Sequence, residues 1–143
     1  MSWDRRFIAL AAHIAAWSKD PSTKVGCVVV GPDREILTTG YNGFPRGVTD
    51  DPKRMERPAK YLWTSHAEEN AVAHAARIGV SLKGCTAYVT HCPCSRCARS
   101  LIQSGVRRVV YPNEARGTVG MDMSEFEVAA IMFSEAGVTL DAL

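Results

Sequence analysis

From Trp3 to Trp17, apolar side chains recur at Phe7, Leu10, Ala11, Ile14 and Ala15, the spacing of one helical face. Asp20-Pro21-Ser22 ends that pattern. Lys24 to Val30 is apolar and β-branched, Gly31-Pro32-Asp33 reads as a turn, and Glu35 to Thr39 predicts the returning strand of a hairpin. Between Gly40 and Trp63 the chain is rich in glycine, proline and charge and shows no period. An irregular stretch of that length inside a compact domain is usually functional or disordered. Helical pattern resumes at His66, runs through Ala71, Ala75 and Ile78, and stops at Gly79. Cys85 to Thr90 predicts a third strand, Ser95 to Ser104 a short helix closed by Gly105, and Val106 to Tyr111 a fourth, central strand. Phe126 to Ala136, ended by Gly137, predicts a last helix, and Val138 to Leu140 a fifth strand. The order α-β-β-α-β-α-β-α-β implies an α/β protein: a three-layer α/β/α sandwich around a five-stranded mixed sheet, with right-handed parallel crossovers.

Composition narrows the setting. At 143 residues and 46% hydrophobic, the chain is expected to form one domain, 1–143, with a core that needs no disulfides. A net charge of +2 speaks against a nucleic-acid coat and leaves room for a local basic groove. No apolar run approaches the ~20 residues of a membrane span, and the first segment reads as a helix rather than a cleaved leader. The five cysteines are odd in number, and three of them fall within His91-Cys92-Pro93-Cys94-Ser95-Arg96-Cys97. That distribution is not a disulfide framework; a metal site in a reducing cytoplasm is the expectation.

Two segments carry candidate chemistry: His66-Ala67-Glu68, opening one helix, and Pro93-Cys94-Ser95-Arg96-Cys97, opening the next. Cys94 and Cys97, three apart, place both sulfurs on one face of a helical turn, where the helix dipole and free backbone N–H groups favour thiolates. One imidazole and two thiolates leave one position of a tetrahedral zinc open, the pattern of a catalytic rather than a closed structural site. Glu68 is too near His66 to be a second ligand and instead suits a proton shuttle. Cys-x-x-Cys alone is shared by redox dithiols, structural zinc sites and ordinary helix starts, and a lone histidine is usually structural. The joint pattern, His-x-Glu with Pro-Cys-x-x-Cys, is the signature of zinc deaminases acting on nucleobases.

On these segments, together with Asp20-Pro21-Ser22-Thr23-Lys24-Val25-Gly26, Gly40-Tyr41-Asn42-Gly43-Phe44-Pro45-Arg46-Gly47 and His66-Ala67-Glu68-Glu69-Asn70-Ala71, the chain resembles the cytidine deaminase superfamily. Within it, the chain is similar to the deoxycytidylate (dCMP) deaminases, whose Gly-Tyr-Asn-Gly-x-Pro loop sets them apart from nucleoside and tRNA deaminases. The likeness runs from Trp17 to about Gly137. It implies hydrolytic conversion of dCMP to dUMP with release of ammonia, supplying thymidylate synthesis. It further implies one catalytic zinc per chain held by His66, Cys94 and Cys97, with Glu68 as the shuttle. Asn42 would contact the sugar, and the backbone at Ala67 would face the pyrimidine carbonyl. Hexamers, and activation by dCTP with magnesium and inhibition by dTTP near the same loop, are also family properties.

Several residues admit two readings. The Asn42 amide suits a sugar hydroxyl, while an asparagine before Gly43 also suits a left-handed turn. Lys24 could meet a phosphate or simply be solvated. Arg46, Lys53, Arg54, Arg57 and Lys60 give the long loop a cationic cast, for phosphate or for water. Tyr61 and Trp63 are candidates to stack on a base, or to pack in a core or an interface. Three departures from the family pattern stand out. His91-Cys92 replaces apolar residues, so Cys92 is either a spare ligand or a small buried side chain. No second tyrosine follows Tyr111 before Arg116, and Gly117 to Met123 has no assignable counterpart. Rival readings keep the chemistry on a modified dCMP, cytidine or tRNA adenosine, or reduce the chain to a structural-zinc module without turnover.

Overall fold

The structure is a computed structural model that describes residues 1–113 and 123–143. Arg116 and the stretch 117–122 therefore lie outside the described residues, and nothing bears on their expected roles. Helix α1 (Trp3–Ala15) starts on Ser2, whose hydroxyl accepts from Arg5 N at 3.2 Å. Strands β1 (Gly26–Val30) and β2 (Ile36–Tyr41) form the hairpin. A 3-10 turn (Pro52–Met55) and a four-residue helix α2 (Lys60–Trp63) occupy the long irregular stretch. Then follow α3 (Ala67–Ile78), β3 (Thr86–Val89), α4 (Ser95–Gln103), β4 (Arg108–Tyr111), α5 (Met123–Glu135) and β5 (Thr139–Ala142).

Every expected helix and strand is present, with ends displaced by a few residues. The first strand begins at Gly26 rather than Lys24, and the second continues through Gly40 to Tyr41. The sheet order is β2-β1-β3-β4-β5; β1 is antiparallel to both neighbours, and β3, β4 and β5 are parallel. Four strands thus run one way and β1 the other. The entry to β1 and the exits of β2 and β3 consequently meet at one edge of the sheet, which is where the candidate site forms.

All five β1 residues are buried because helices cover both faces of the sheet. Val28, Val30, Tyr88 and Val110 face Phe7, Ala11 and Ile14 of α1. Cys27, Val29, Ala87, Val89 and Val109 face α3, α4 and α5 through Ala71, Leu101 and Phe133. On α3 the residues at four-residue spacing, Ala67, Ala71 and Ala75, are all buried alanines. Opposite them lie Thr38, whose hydroxyl donates to Ala71 O at 2.9 Å, and Gly40, where a Cβ would collide with Ala67 O and Ala71 N. Small residues on both sides let the start of α3 lie directly against β2, and this sets the depth of the residues that follow His66.

Candidate active site

His66 is the N-cap of α3 and Cys94 the N-cap of α4. His66 Nδ1 lies 3.2 Å from Cys97 Sγ and 3.5 Å from Cys94 Sγ, and the three donor atoms fall within 4.8 Å of one another. A tetrahedral zinc with arms of about 2.0–2.3 Å needs N···S and S···S separations of roughly 3.5–3.8 Å. The donor set suits that ion, with the His66–Cys94 separation in that range and the His66–Cys97 separation about 0.3 Å short of it. Hydrogen bonds from Cys97 and His66, which outweigh burial, pull the Cys94 thiol down to about 4. The same contact with Cys94, reinforced by burial, pushes Cys97 up. His66 is held above its usual range, chiefly by its bond to Cys94.

Glu68 sits in the first turn of α3 and is only 4% exposed. Burial pushes its carboxyl up to about 7, against the downward pull of His66. A carboxyl so placed exchanges a proton near neutrality, which is what acid–base work requires. It lies in the wall of a cavity of about 360 Å³, with His66, Ala67, Cys94 and Arg96. That volume suits a small ligand.

More of the wall comes from the strand ends that meet there: Thr23 and Val25 before β1, Asn42 after β2, and His91 and Cys92 after β3. Asn42 ties these segments together. Its Oδ1 accepts from Val25 N at 2.8 Å and its Nδ2 donates to Thr23 O at 2.9 Å. It is not in a left-handed turn; among the described residues, Arg34 is the non-glycine residue with positive φ. Gly43 and Ser65 exchange backbone hydrogen bonds of 3.1 and 2.8 Å, which fixes the glycine-rich loop to the residue before His66.

Of the remaining sequence candidates, Arg57, Lys60 and Tyr61 line the cavity while Lys24, Arg46, Lys53, Arg54 and Trp63 do not. Lys24 is exposed before β1. Arg46 instead meets His74 Nε2 at 2.7 Å, and Trp63 is stacked under Arg54, with the guanidinium 4.1 Å from the ring centre. Cys92 packs with Tyr111 and Phe126 and is absent from the three-donor cluster, in keeping with a small buried side chain. Sequence reading did not anticipate Asp20 and Lys60 as a buried pair in the cavity wall, with Nζ 3.3 Å from both carboxylate oxygens. The two are 40 residues apart, and Lys60 looked like one more charge on a basic loop. The motifs likewise do not single out Arg96, inside Cys-x-x-Cys, or Glu69, directly after His-x-Glu.

A mixed sheet that carries His-x-Glu and Cys-x-x-Cys to two adjoining helix starts defines the class of zinc-dependent nucleobase deaminases. Residues 1–113 match the cytidine and deoxycytidylate deaminase zinc-binding region, and the chain belongs to that family. It is 43% identical over 136 residues to an uncharacterized deaminase of Aliivibrio fischeri encoded in the luxG 3′ region, covering 95% of this chain and 90% of that one. It is 35% identical to human deoxycytidylate deaminase over 145 residues, covering 97% of this chain and 78% of the human one. Among solved structures, the dCMP deaminase of cyanophage S-TIM5 in complex with dCMP and dUMP superposes with a TM-score of 0.78 at 26% identity, covering 100% of this chain and 99% of that one.

Proposed function

We propose that the chain, acting as one deaminase domain over residues 1–143, converts dCMP to dUMP and ammonia with a zinc ion held by His66, Cys94 and Cys97. The observation that carries this reading is the buried Glu68 carboxyl in a cavity wall shared with a three-donor metal cluster. Zinc, when bound, supplies a Lewis acid that makes water nucleophilic at neutral pH. Glu68 takes the proton that water loses as it adds to C4 of the ring, and delivers that proton to N3. As the C4–N bond breaks, the proton of the new C4 hydroxyl passes through the same carboxyl to the exocyclic amine, leaving the C4 carbonyl of dUMP and free ammonia. The exclusion of bulk solvent from Glu68 keeps the proton transfers local.

Asn42, already committed to Thr23 O and Val25 N, retains one amide N–H and one lone pair for a sugar hydroxyl. The Ala67 backbone, at the first turn of α3, is the candidate partner of the pyrimidine carbonyl. Tyr61 is left as the aromatic candidate for the base. Relatives named for dCMP support the nucleotide as substrate. The reading extends, as a family property, to a homo-hexamer and to regulation by dCTP with magnesium. Exposed apolar residues such as Leu62, at 90% exposure, are compatible with assembly, and five buried cysteines suit a reducing cytoplasm. No helix among the described residues is long and apolar enough to cross a membrane.

The test is ammonia release by the zinc-loaded protein from dCMP, CMP, deoxycytidine, 5-methyl-dCMP and adenosine, with and without dCTP and magnesium. Preference for dCMP is expected. Turnover confined to another compound would keep the chemistry and overturn the substrate.

A further inference from the structure

Resting on the metal reading above, we infer that Glu69 and Arg96 form a clamp that holds the two metal-bearing helix starts in register, so that Arg96 is a positioning residue for the zinc ligands. Glu69 Oε1 accepts from His66 N at 2.9 Å, which locks the first turn of α3 onto the residue that offers the imidazole. The same oxygen accepts from Arg96 Nη2 at 2.7 Å. Arg96 lies between Cys94 and Cys97 at the start of α4, and its Nη2 also reaches Thr64 O, at 3.4 Å. One carboxylate oxygen therefore joins the His66 backbone to the segment that carries both sulfurs.

Helix capping explains Glu69 but not Arg96. A half-exposed ion pair is ordinarily worth little, and Arg96 is held at a cost. Its Nε is the one buried side-chain N or O atom without a hydrogen-bond partner among the described residues. A guanidinium that leaves a donor unpaired is being kept in place by what its other nitrogens do. Its Nη2 alone binds both positions flanking the His66 segment, Thr64 and Glu69, beside the His66 imidazole's own approach to the two sulfurs. Metal geometry is the property most sensitive to such a span, because ligand distances must hold to within about 0.2 Å. Partners of this kind commonly change metal affinity by about 10–100-fold.

The experiment compares zinc loss to excess chelator from wild type, Arg96→Met and Arg96→Lys, alongside visible spectra of the cobalt(II)-loaded proteins and melting of the metal-free ones. Arg96→Met is expected to lose zinc about 10–100-fold faster and to alter the cobalt d–d bands. Arg96→Lys, which keeps the charge opposite Glu69, recovers most of the retention. A merely structural role would lower the melting temperature of the metal-free protein and leave the cobalt spectrum unchanged; that result overturns the inference, as does wild-type retention in Arg96→Met. Should Arg96→Met fail to fold, Glu69→Gln keeps the oxygen for His66 N and removes only the charge, and retention equal to wild type then overturns the clamp. Wild type that takes up no zinc would instead overturn the metal reading itself, and the clamp with it.

Discussion

Asn42 and Val25 are bonded to each other twice: Asn42 N donates to Val25 O at 3.3 Å, and Val25 N donates to Asn42 Oδ1 at 2.8 Å. The side chain that forms part of the pocket wall is thus also the fastener between the exit of one strand and the entry of another. Asn42→Ala orphans Val25 N and Thr23 O, at a cost of about 1–3 kcal/mol. Denaturant unfolding should show that loss, and KM for dCMP should rise as the Thr23–Val25 wall loosens. Unchanged stability would mean that water replaces the amide.

Glu68→Gln preserves shape and removes the proton carrier. Zinc content and the unfolding midpoint should stay near wild type while kcat falls about 10²–10⁴-fold. Metal analysis beside a steady-state assay separates the two effects, and an active variant would remove Glu68 from the mechanism.

Cys94→Ala removes one of three donors and should leave the purified protein without stoichiometric zinc. Cys92→Ser should keep it, since Cys92 packs with Tyr111 and Phe126 outside the cluster. Chelator treatment of wild type should abolish turnover, with recovery on adding zinc back. Zinc retained by Cys94→Ala would show Cys92 acting as a substitute ligand.

Asp4 anchors α1 to the sheet, accepting from Arg108 at 2.8 and 3.0 Å and from Tyr88 at 2.7 Å. The Arg108 guanidinium holds its carboxyl below the ordinary 3.8. A depressed carboxylate binds protons less readily folded than unfolded, so its contribution is present above that ordinary value and disappears as pH falls through the folded one. Wild type should therefore lose stability over about pH 5 to 2 more steeply than Asp4→Asn. Parallel slopes in denaturant titrations at stepped pH would rule the pair out as a source of acid sensitivity.

Periodic segments were legible in the sequence because burial imposes the period. Phe7, Ala11 and Ile14 face one side of the sheet, and Ala67, Ala71 and Ala75 the other. The metal donors were legible because all four motif positions, His66, Glu68, Cys94 and Cys97, sit within one turn of a helix start. What escaped was pairing across irregular backbone. The stretch 40–63 has no period, its helix is four residues long, and its buried contact joins Lys60 to Asp20, a relationship that no local pattern encodes. Lys24, Arg46 and Trp63 were reasonable candidates by residue type, but type alone does not say which side of a loop faces the cavity. The Glu69–Arg96 contact is hidden for another reason: Arg96 occupies a variable position of Cys-x-x-Cys and Glu69 lies just past His-x-Glu, so neither motif specifies the pair.

The reversed direction of β1 also divides the cavity wall between two kinds of backbone. His66, Glu68, Cys94 and Cys97 sit at the starts of helices seated in the hydrophobic core, whereas Thr23 and Asn42 arrive on connections at the strand ends and Tyr61 on the short α2. On the proposed roles, chemistry and selectivity therefore occupy separate stretches of chain, and substitutions in the connections are expected to change which nucleotide is accepted while the three donors stay in place.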